Sequence, residues 1–345
     1  MDEKPRRRAI LADAAEGVTS GKPATMSAKN CRANDITFPV ESNTEPPEQA
    51  DPMATIPLTN QTAVTNPLDI PDNTLVPQRL VANQIEVASL SHVGRVRTNN
   101  EDSFSTFLGS VPRLNSTGQE VIFSFLAVAD GMGGHENGEV ASNIAVRAMT
   151  EGVLRSFYLP TIEGKQPGRN GESPLEALAF LIEDTNQAIL QEGHQNRVSM
   201  GTTLTCAVLL GQTAVVGHVG DSRLYILGKS SGKLRQVTHD HSIVQRLVDM
   251  GTITREEAQI SPQRSVLYLT LGQKGQIEPD VELVPLTDAA ALLICSDGLW
   301  ELVEDDAIEM LLKQTNSAAE ACEKLVEAAN AAGGVDNVTV IVAKL

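Results

Sequence analysis

The segment VIFSFLAVADGMGGHENGEVA, residues 121–141, carries the strongest structural signal in the chain. Residues 121–129 form an apolar run that only Ser124 interrupts, with β-branched and aromatic side chains and the length of a strand. This pattern predicts a buried strand that ends at Asp130, because the apolar run stops there and glycines follow. A helical pattern then begins near Glu139.

Asp130 and Gly131 allow two interpretations. A carboxylate at the end of a buried strand is held rigidly, and a glycine without Cβ lets its carbonyl oxygen approach a bound cation. Mg²⁺ and Mn²⁺ take carboxylate and carbonyl oxygens of this kind. An Asp-Gly pair is equally a common turn sequence. The choice between them depends on the rest of the chain.

Composition excludes several classes of protein. The chain has 345 residues, 41% of them hydrophobic, and a net charge of −17, which argues against binding to nucleic acid. Its four cysteines are far apart, and this spacing favours free thiols in a reducing cytoplasm over disulfides or a zinc site. The longest apolar run, residues 289–295, is too short to span a membrane.

The first 80 residues differ from the remainder. They hold most of the 17 prolines, many Thr and Asn residues, and no Trp or Tyr. Such a segment cannot bury enough apolar surface to offset its ordering entropy, so residues 1–80 are predicted to be a disordered tail. A small module that folds on a partner is the alternative. The folded domain is predicted to span residues 83–345.

The order of periodic segments indicates an α+β fold. Residues 202–210, 214–219 and 222–227 are predicted to form an antiparallel meander of three strands, and strands also cover residues 84–93, 103–108, 280–286, 291–295 and 338–345. Helices are predicted at residues 139–158, 174–189, 242–251, 255–260, 305–313 and 318–332, and a loop is predicted at residues 159–173. Helices come in pairs between groups of strands, which favours antiparallel sheets covered by helix pairs over a doubly wound parallel sheet.

Further acidic residues lie at strand boundaries, as Asp130 does. They are Glu101 with Asp102, Asp221, Asp297 and Asp336. Carboxylates that converge on one end of the sheets repel one another and raise one another's pKa unless a cation lies among them. Because only oxygen ligands occur in this set, Mg²⁺ or Mn²⁺ is favoured over zinc.

Taken in order, these motifs resemble those of the metal-dependent type-2C protein serine/threonine phosphatases, and the Met-Gly-Gly variant resembles bacterial members. The motifs are Arg97-x-x-Asn100-Glu101-Asp102, Asp130-Gly131-Met132-Gly133-Gly134-His135, Gly201-Thr202-Thr203, Gly220-Asp221-Ser222-Arg223, Ser296-Asp297-Gly298 and Asp336-Asn337. The resemblance covers residues 84–345. It implies a central β-sandwich flanked by helix pairs, a four-layer αββα arrangement.

The resemblance also implies roles for these residues. Asp130 would bridge two Mn²⁺ or Mg²⁺ ions, and an activated water would attack phosphorus. Arg97 would clamp the phosphate oxygens, unless it is simply a surface arginine. The remaining expected metal ligands are Asp297 and Asp336 on one ion and Glu101 and the Gly131 carbonyl on the other. The residues expected to orient waters and ligands are Asp102 and Asn337, the latter with a plain turn role as the alternative.

Three features of the chain bear on finer points of the resemblance. Many eukaryotic members have a His after the Asp-Gly pair as the proposed acid, whereas Met132 stands here and His135 is the nearest substitute. Asp221 is expected to help Asp297 hold a third, weaker ion; the alternatives are a turn cap or a pair with Arg223. Residues 242–270 resemble the mobile flap beside the active site of bacterial members, and a packed helical hairpin is the alternative.

The function expected from the resemblance is hydrolysis of phosphoserine and phosphothreonine in proteins. The expected partners are the phosphorylated substrates of a serine/threonine kinase, with no nucleic acid or membrane, and the expected state is a cytoplasmic monomer. A phosphatase of small phosphorylated metabolites and an inactive relative that acts as a binding module are the alternatives. The inactive relative would require a lost metal ligand, and none is lost.

Overall fold

The computed structural model describes residues 78–82, 85–112, 120–133, 137–168 and 171–345. The predicted tail therefore lies almost wholly outside the described residues. Its predicted boundary at residue 80 is too late, because Gln78–Ala82 forms a strand that pairs antiparallel with Ile85–His92. The ordered domain thus begins by Gln78. Alternating apolar residues before Asn83 were too few for the sequence pattern to reveal this strand.

The described residues contain twelve strands, all of whose pairings are antiparallel. They are β1 (Gln78–Ala82), β2 (Ile85–His92), β3 (Asp102–Pro112), β4 (Glu120–Met132), β5 (Gly201–Thr202), β6 (Leu204–Leu210), β7 (Thr213–Val219), β8 (Arg223–Gly228), β9 (Leu234–Gln236), β10 (Asp280–Pro285), β11 (Ala289–Cys295) and β12 (Val338–Lys344). One sheet has the order β1-β2-β12-β11-β8-β9. The other has the order β10-β7-β6-β4-β3, with β5 paired to β4.

The predicted meander is wrong in its third strand. Strands β6 and β7 pair in one sheet, but β8 pairs with β11 and β9 in the other. The turn at Gly220, where φ is +107°, leads the chain from one sheet to the other. A local pattern marks three strands in a row, yet it does not say which neighbour each strand takes, because that depends on β11 far along the chain.

The described helices either cover the outer faces of the sheets or lie in the connections between strands. They are α1 (Asn137–Val153), continued by a π-helical turn at Leu154–Tyr158, α2 (Leu159–Ile162), α3 (Pro174–Asn196), α4 (Ile243–Asp249), α5 (Arg255–Gln259), α6 (Asp297–Trp300), α7 (Asp305–Gln314) and α8 (Ala318–Ala331). The Thr-x-x-Glu spacing of Thr254 and Glu257 predicts a capping box at the start of α5, and it is confirmed, because the two residues bond reciprocally. The loop predicted from residue 159 begins as α2 instead, because its Pro160 occupies a first-turn position that tolerates proline.

Three core clusters fill the spaces between four layers, which are two sheets and the helices on either side of them. On β4, Phe123, Phe125 and Ala127 pack with α1 and α3, whereas Leu126 and Val128 pack against the facing sheet. This alternation explains the continuous apolar run, because a central strand covered on both faces has no solvent side. A third cluster joins the other sheet to α6, α7 and α8. The predicted four-layer αββα fold is confirmed.

The acidic motifs meet at one end of this sandwich. Asp130 near the end of β4 is the register partner of Asp102 at the start of β3. Asp221 follows β7, Asp297 follows β11, and Asp336 precedes β12. The described part of the chain contains no helix with the length and apolarity needed to cross a bilayer.

Candidate metal and phosphate site

Asp130 is fixed in place through its backbone. Its N–H donates to Thr203 Oγ1 at 2.9 Å, and its carbonyl oxygen accepts from Thr202 Oγ1 at 2.8 Å and from the Thr203 N–H at 2.9 Å. Both threonines are fully buried. The Gly201-Thr202-Thr203 motif, to which no role was assigned from sequence, thus anchors the strand end that carries the carboxylate.

Four carboxylates crowd around this strand end. The pKa of Asp130 is raised by desolvation and by the charges of Asp297, Asp102 and Asp221. Desolvation and the charges of Asp221 and Asp336 likewise raise the pKa of Asp297. Asp130 and Asp297 are surrounded by protein but still reach solvent at intermediate exposure. The predicted convergence of these carboxylates is therefore present, with the repulsion expected of it.

Two carboxylate oxygens of this cluster lie buried without a hydrogen-bond partner. They are Asp102 Oδ1 and Asp297 Oδ1. The other oxygen of Asp102 accepts from Ser296 Oγ at 2.8 Å, and desolvation raises the pKa of Asp102 to about 6. Buried anionic oxygens normally have donors, so unpartnered ones in an all-oxygen cluster suit a divalent cation as the missing partner.

The cluster is not a finished coordination shell. Among the described residues, no three His, Cys, Asp or Glu side chains are arranged around a common ion position. Asp336 Oδ2 instead accepts from Arg97 Nη2 at 2.7 Å, and its Oδ1 accepts from the Asn337 N–H at 2.8 Å. The predicted phosphate clamp and one predicted metal ligand are thus bonded to each other.

Asn337 braces the segment that precedes β3. Its Oδ1 accepts from the Glu101 N–H at 2.8 Å, and its Nδ2 donates to the carbonyl oxygens of Val93 and Asn99 at 3.0 and 2.9 Å. The side chain is buried. These three bonds place Glu101 beside the cluster and go beyond what a plain turn residue would do.

The two Asp-Gly pairs have a packing reason. A Cβ on Gly131 would lie 2.2 Å from the Gly138 carbonyl oxygen, and one on Gly298 would lie 1.9 Å from the Asn337 carbonyl oxygen. Neither position has room for a side chain. The glycines therefore let neighbouring backbones approach closely enough to bring Asp130 and Asp297 into one cluster.

Asp221 does not form the ion pair considered from the sequence. Arg223 bonds Asp240 instead, with Nη2 to Oδ2 at 2.6 Å, and stacks 3.5 Å over the Trp300 ring. The Trp300 Nε1–H donates to the Asp221 carbonyl oxygen at 3.0 Å. Desolvation, followed by the charges of Asp240 and Glu301, raises the pKa of Asp221 to about 7. Asp240 and Trp300 were missed because neither is close in sequence to the Gly220–Arg223 motif.

The segment predicted as a flap lies beside a cavity of about 700 Å³. Helices α4 and α5 lie within this segment. Ser242 is the N-cap of α4, and Thr254 is the predicted N-cap of α5. The segment's residues Val244 and Val248 line the cavity, and so does Trp300 of α6. Met250 and Ile260 are exposed. His135, the predicted acid, lies outside the described residues.

Comparison with known proteins agrees with this fold. Residues 90–338 match the family described as Protein phosphatase 2C. The serine/threonine phosphatase stp of Listeria welshimeri is 36% identical over 250 residues, which cover 72% of this chain and 91% of that protein. The Mycobacterium tuberculosis serine/threonine phosphatase PstP/Ppp crystal structure is 37% identical, with a TM-score of 0.60, and the match covers 76% of this chain and 98% of that one.

A further crystal structure bears on the acidic cluster. The catalytic domain of the serine threonine protein phosphatase PstP, in complex with two manganese ions, is 35% identical with a TM-score of 0.59. That match covers 75% of this chain and 97% of the other. With its fold, its ordered acidic motifs and these similarities, the chain belongs to the protein phosphatase 2C family, as a bacterial-type member.

Proposed function

We propose that this protein is a metal-dependent serine/threonine protein phosphatase with a binuclear Mn²⁺ or Mg²⁺ centre. The observation that carries the proposal is the cluster of mutually repelling carboxylates with two buried, unpartnered oxygens. A divalent cation would neutralise the repulsion and supply those oxygens with a partner. The manganese-bound relative and the family match support the same assignment.

The ligands would divide between two ions. Asp130 would bridge them, Asp297 and Asp336 would serve one, and Glu101 with the Gly131 carbonyl would serve the other. Bound divalent cations supply Lewis acidity and activate water for attack on phosphorus. The protein contributes the rigid backbone position of Asp130, and Asp102 and Asn337 orient the groups around it.

Arg97 would exchange partners during the cycle. In the structure it bonds Asp336, and its side chain is half exposed. Once Asp336 serves a cation, the guanidinium fork is available to hold two oxygens of a phosphate. His135 remains the proposed proton donor to the leaving alkoxide, because Met132 at the position after Gly131 has no proton to give.

Asp221 and Asp297 would together hold a third, weaker ion. So few protein ligands leave most of the shell to water, so this ion should exchange readily. In Asp221→Ala, calorimetric titration should retain the tight metal pair while phosphopeptide turnover falls. Loss of the tight pair would place Asp221 in the main centre, and full turnover at every Mn²⁺ concentration would exclude the third ion.

The proposed substrates are phosphoproteins made by a serine/threonine kinase. The three described cysteines, Cys206, Cys295 and Cys322, are free and buried, which supports a reducing compartment such as the cytoplasm. We propose a monomer as the active unit, because the motifs assigned to the centre are complete within this one sequence.

The test compares a phosphothreonine peptide with sugar phosphates, each with Mn²⁺ and with a chelator. The proposal expects Mn²⁺-dependent hydrolysis of the peptide, much faster than that of the sugar phosphates. Preference for sugar phosphates would identify a metabolite phosphatase. Absence of any hydrolysis in a folded, metal-loaded protein would identify a binding module.

A further inference from the structure

The turn that carries Asp221 is held from several sides. Thr203 Oγ1 and Ser222 Oγ are 2.8 Å apart, and Thr205 Oγ1 donates to the Ser222 carbonyl oxygen at 2.8 Å. Trp300 holds the Asp221 carbonyl oxygen, as described above. The remaining anchor is on the preceding residue, Gly220, and comes from a side chain outside the motif.

That side chain is His241, which is buried in the protein. Its Nδ1 accepts from the Gly220 N–H at 3.1 Å, so Nδ1 carries no proton. In the neutral ring the proton is then on Nε2, which lies 3.2 Å from Asp280 Oδ2 on β10. Asp280 thus favours the one tautomer that can hold Gly220.

The same residue is bonded to the flap through its backbone. The His241 N–H donates to the Gly220 carbonyl oxygen at 2.7 Å, and the His241 carbonyl oxygen accepts from the Tyr268 N–H at 2.9 Å. Next to it, the Ile243 N–H donates to the Val266 carbonyl oxygen at 2.9 Å. The rings of His241 and Tyr268 lie 5.5 Å apart. His241 therefore connects the turn that bears Asp221 to the C-terminal part of the flap, at Tyr268.

We propose that His241 is a positioning residue that couples the flap to the turn bearing Asp221, with Asp280 fixing its tautomer. Any residue at this place could make the two backbone bonds. The ring nitrogen Nδ1 adds the bond to the Gly220 N–H. Because of this additional bond, a displacement of the flap at Tyr268 also displaces the turn that bears Asp221. Through this coupling, a ligand bound in the cavity beside the flap would alter the metal site. This consequence rests on the proposed function.

Two substitutions of His241 test the contributions of its two ring nitrogens separately. In His241→Asn the amide oxygen occupies the place of Nδ1 and can still accept from Gly220, while the partner of Asp280 is lost. In His241→Gln the longer amide can still reach Asp280, while the acceptor for Gly220 is lost. His239→Gln is the matched control, because its side chain is half exposed and bonds Asp249 instead.

The first measurement is the emission of Trp300, the only tryptophan in the chain, in metal-free protein. Because Trp300 bonds Asp221, its emission reports on the turn without requiring activity. The second is the rate of tryptic cleavage at Arg255 and Arg264, two exposed flap residues. We expect His241→Gln to shift the emission and to speed cleavage about tenfold, the scale of one lost buried hydrogen bond. His241→Asn and His239→Gln should match the wild type.

If His241→Asn and His241→Gln change the emission and the cleavage rate equally, the imidazole ring only fills space. If both variants behave as the wild type does, the bond to the Gly220 N–H does not position the turn. Either result overturns the proposal. If His241→Gln does not fold, Asp280→Ala replaces it, since that side chain is 60% exposed. It should shift the emission in the same direction, whereas Asp280→Asn should not. An unchanged Asp280→Ala would also overturn the proposal. Because neither readout needs metal or substrate, failure here is distinguishable from failure of the proposed phosphatase activity.

Discussion

The proposed role of Asp130 in catalysis and its effect on the stability of the metal-free protein have opposite signs. As the proposed bridge between two cations it cannot be replaced by a neighbour, so Asp130→Ala should lower kcat/KM roughly a thousandfold, on the order of 4 kcal/mol. The same carboxylate is repelled by Asp297, Asp102 and Asp221 when no cation is present. The isosteric Asp130→Asn removes this repulsion, so it should stabilise the metal-free protein and raise its midpoint of thermal unfolding.

Phosphopeptide kinetics with Mn²⁺ and thermal unfolding with a chelator check the two halves of this prediction. A gain in stability together with lost activity shows that the loss is not a folding defect. Near wild-type Mn²⁺-dependent turnover in folded Asp130→Ala would refute the assignment of the metal centre.

Arg97 is the second prediction at the scale of a residue. Because its guanidinium is proposed to hold phosphate and not metal, Arg97→Ala should raise KM about tenfold or more while the tight metals remain bound. Calorimetric titration with Mn²⁺ and phosphopeptide kinetics measure the two quantities. Arg97→Lys, which keeps the charge and loses the fork, is the control and should recover only part of the affinity. An unchanged KM would mean that Arg97 does not hold the phosphate and that its role is limited to the bond with Asp336.

At the scale of an element, β1 decides how much of the N-terminal segment is dispensable. Its residues Gln78, Arg79 and Leu80 pair with β2, Arg79 forms an ion pair with Glu86 at 3.1 Å, and Leu80 packs against the core between the sheets. A chain that starts at residue 77 should fold and hydrolyse an aryl phosphate as the full chain does. One that starts at Val81 should lose about 1–2 kcal/mol, the scale of one partly buried leucine.

Urea unfolding of the two truncated chains measures this difference. Equal stability would mean that β1 contributes nothing to the sandwich. An inactive or insoluble chain from residue 77 would instead give the preceding residues a role in folding, against the expectation from their proline-rich composition.

At the scale of the whole molecule, the acidic cluster makes stability depend on pH and on metal together. Asp102 and Asp221 have pKa values raised from 3.8 to about 6 and about 7, so each holds its proton more tightly in the folded chain. Their stabilising contribution is fully present below pH 4 and is lost as the pH rises through 6 and 7. His218, whose pKa burial lowers to about 3, has the opposite effect on stability below its ordinary pKa of 6.5.

Comparing wild type with Asp221→Asn removes the histidine contribution, which both proteins share. With a chelator present, the stability of the wild type relative to this variant should fall as the pH rises from 4 to 7.5, measured by urea unfolding. Saturating Mn²⁺ should remove the fall, because the cation pairs with the ionised carboxylates. A relative stability that rises with pH in the chelator would contradict the raised pKa of Asp221.

Local features of the sequence determined most of the strands and helices, and they determined that the acidic residues lie at the ends of strands. The apolar run before Asp130 predicted β4, and Thr254 with Glu257 predicted the start of α5, because strand burial and helix capping depend on residues a few positions apart. The ordered acidic motifs likewise identified the family. Tertiary structure alone decided that β8 joins the other sheet, that Arg223 pairs with Asp240, and that Thr203 and His241 anchor the site. Each of these depends on partners distant in sequence, whose approach is set by how two sheets pack face to face, and no local pattern records that packing.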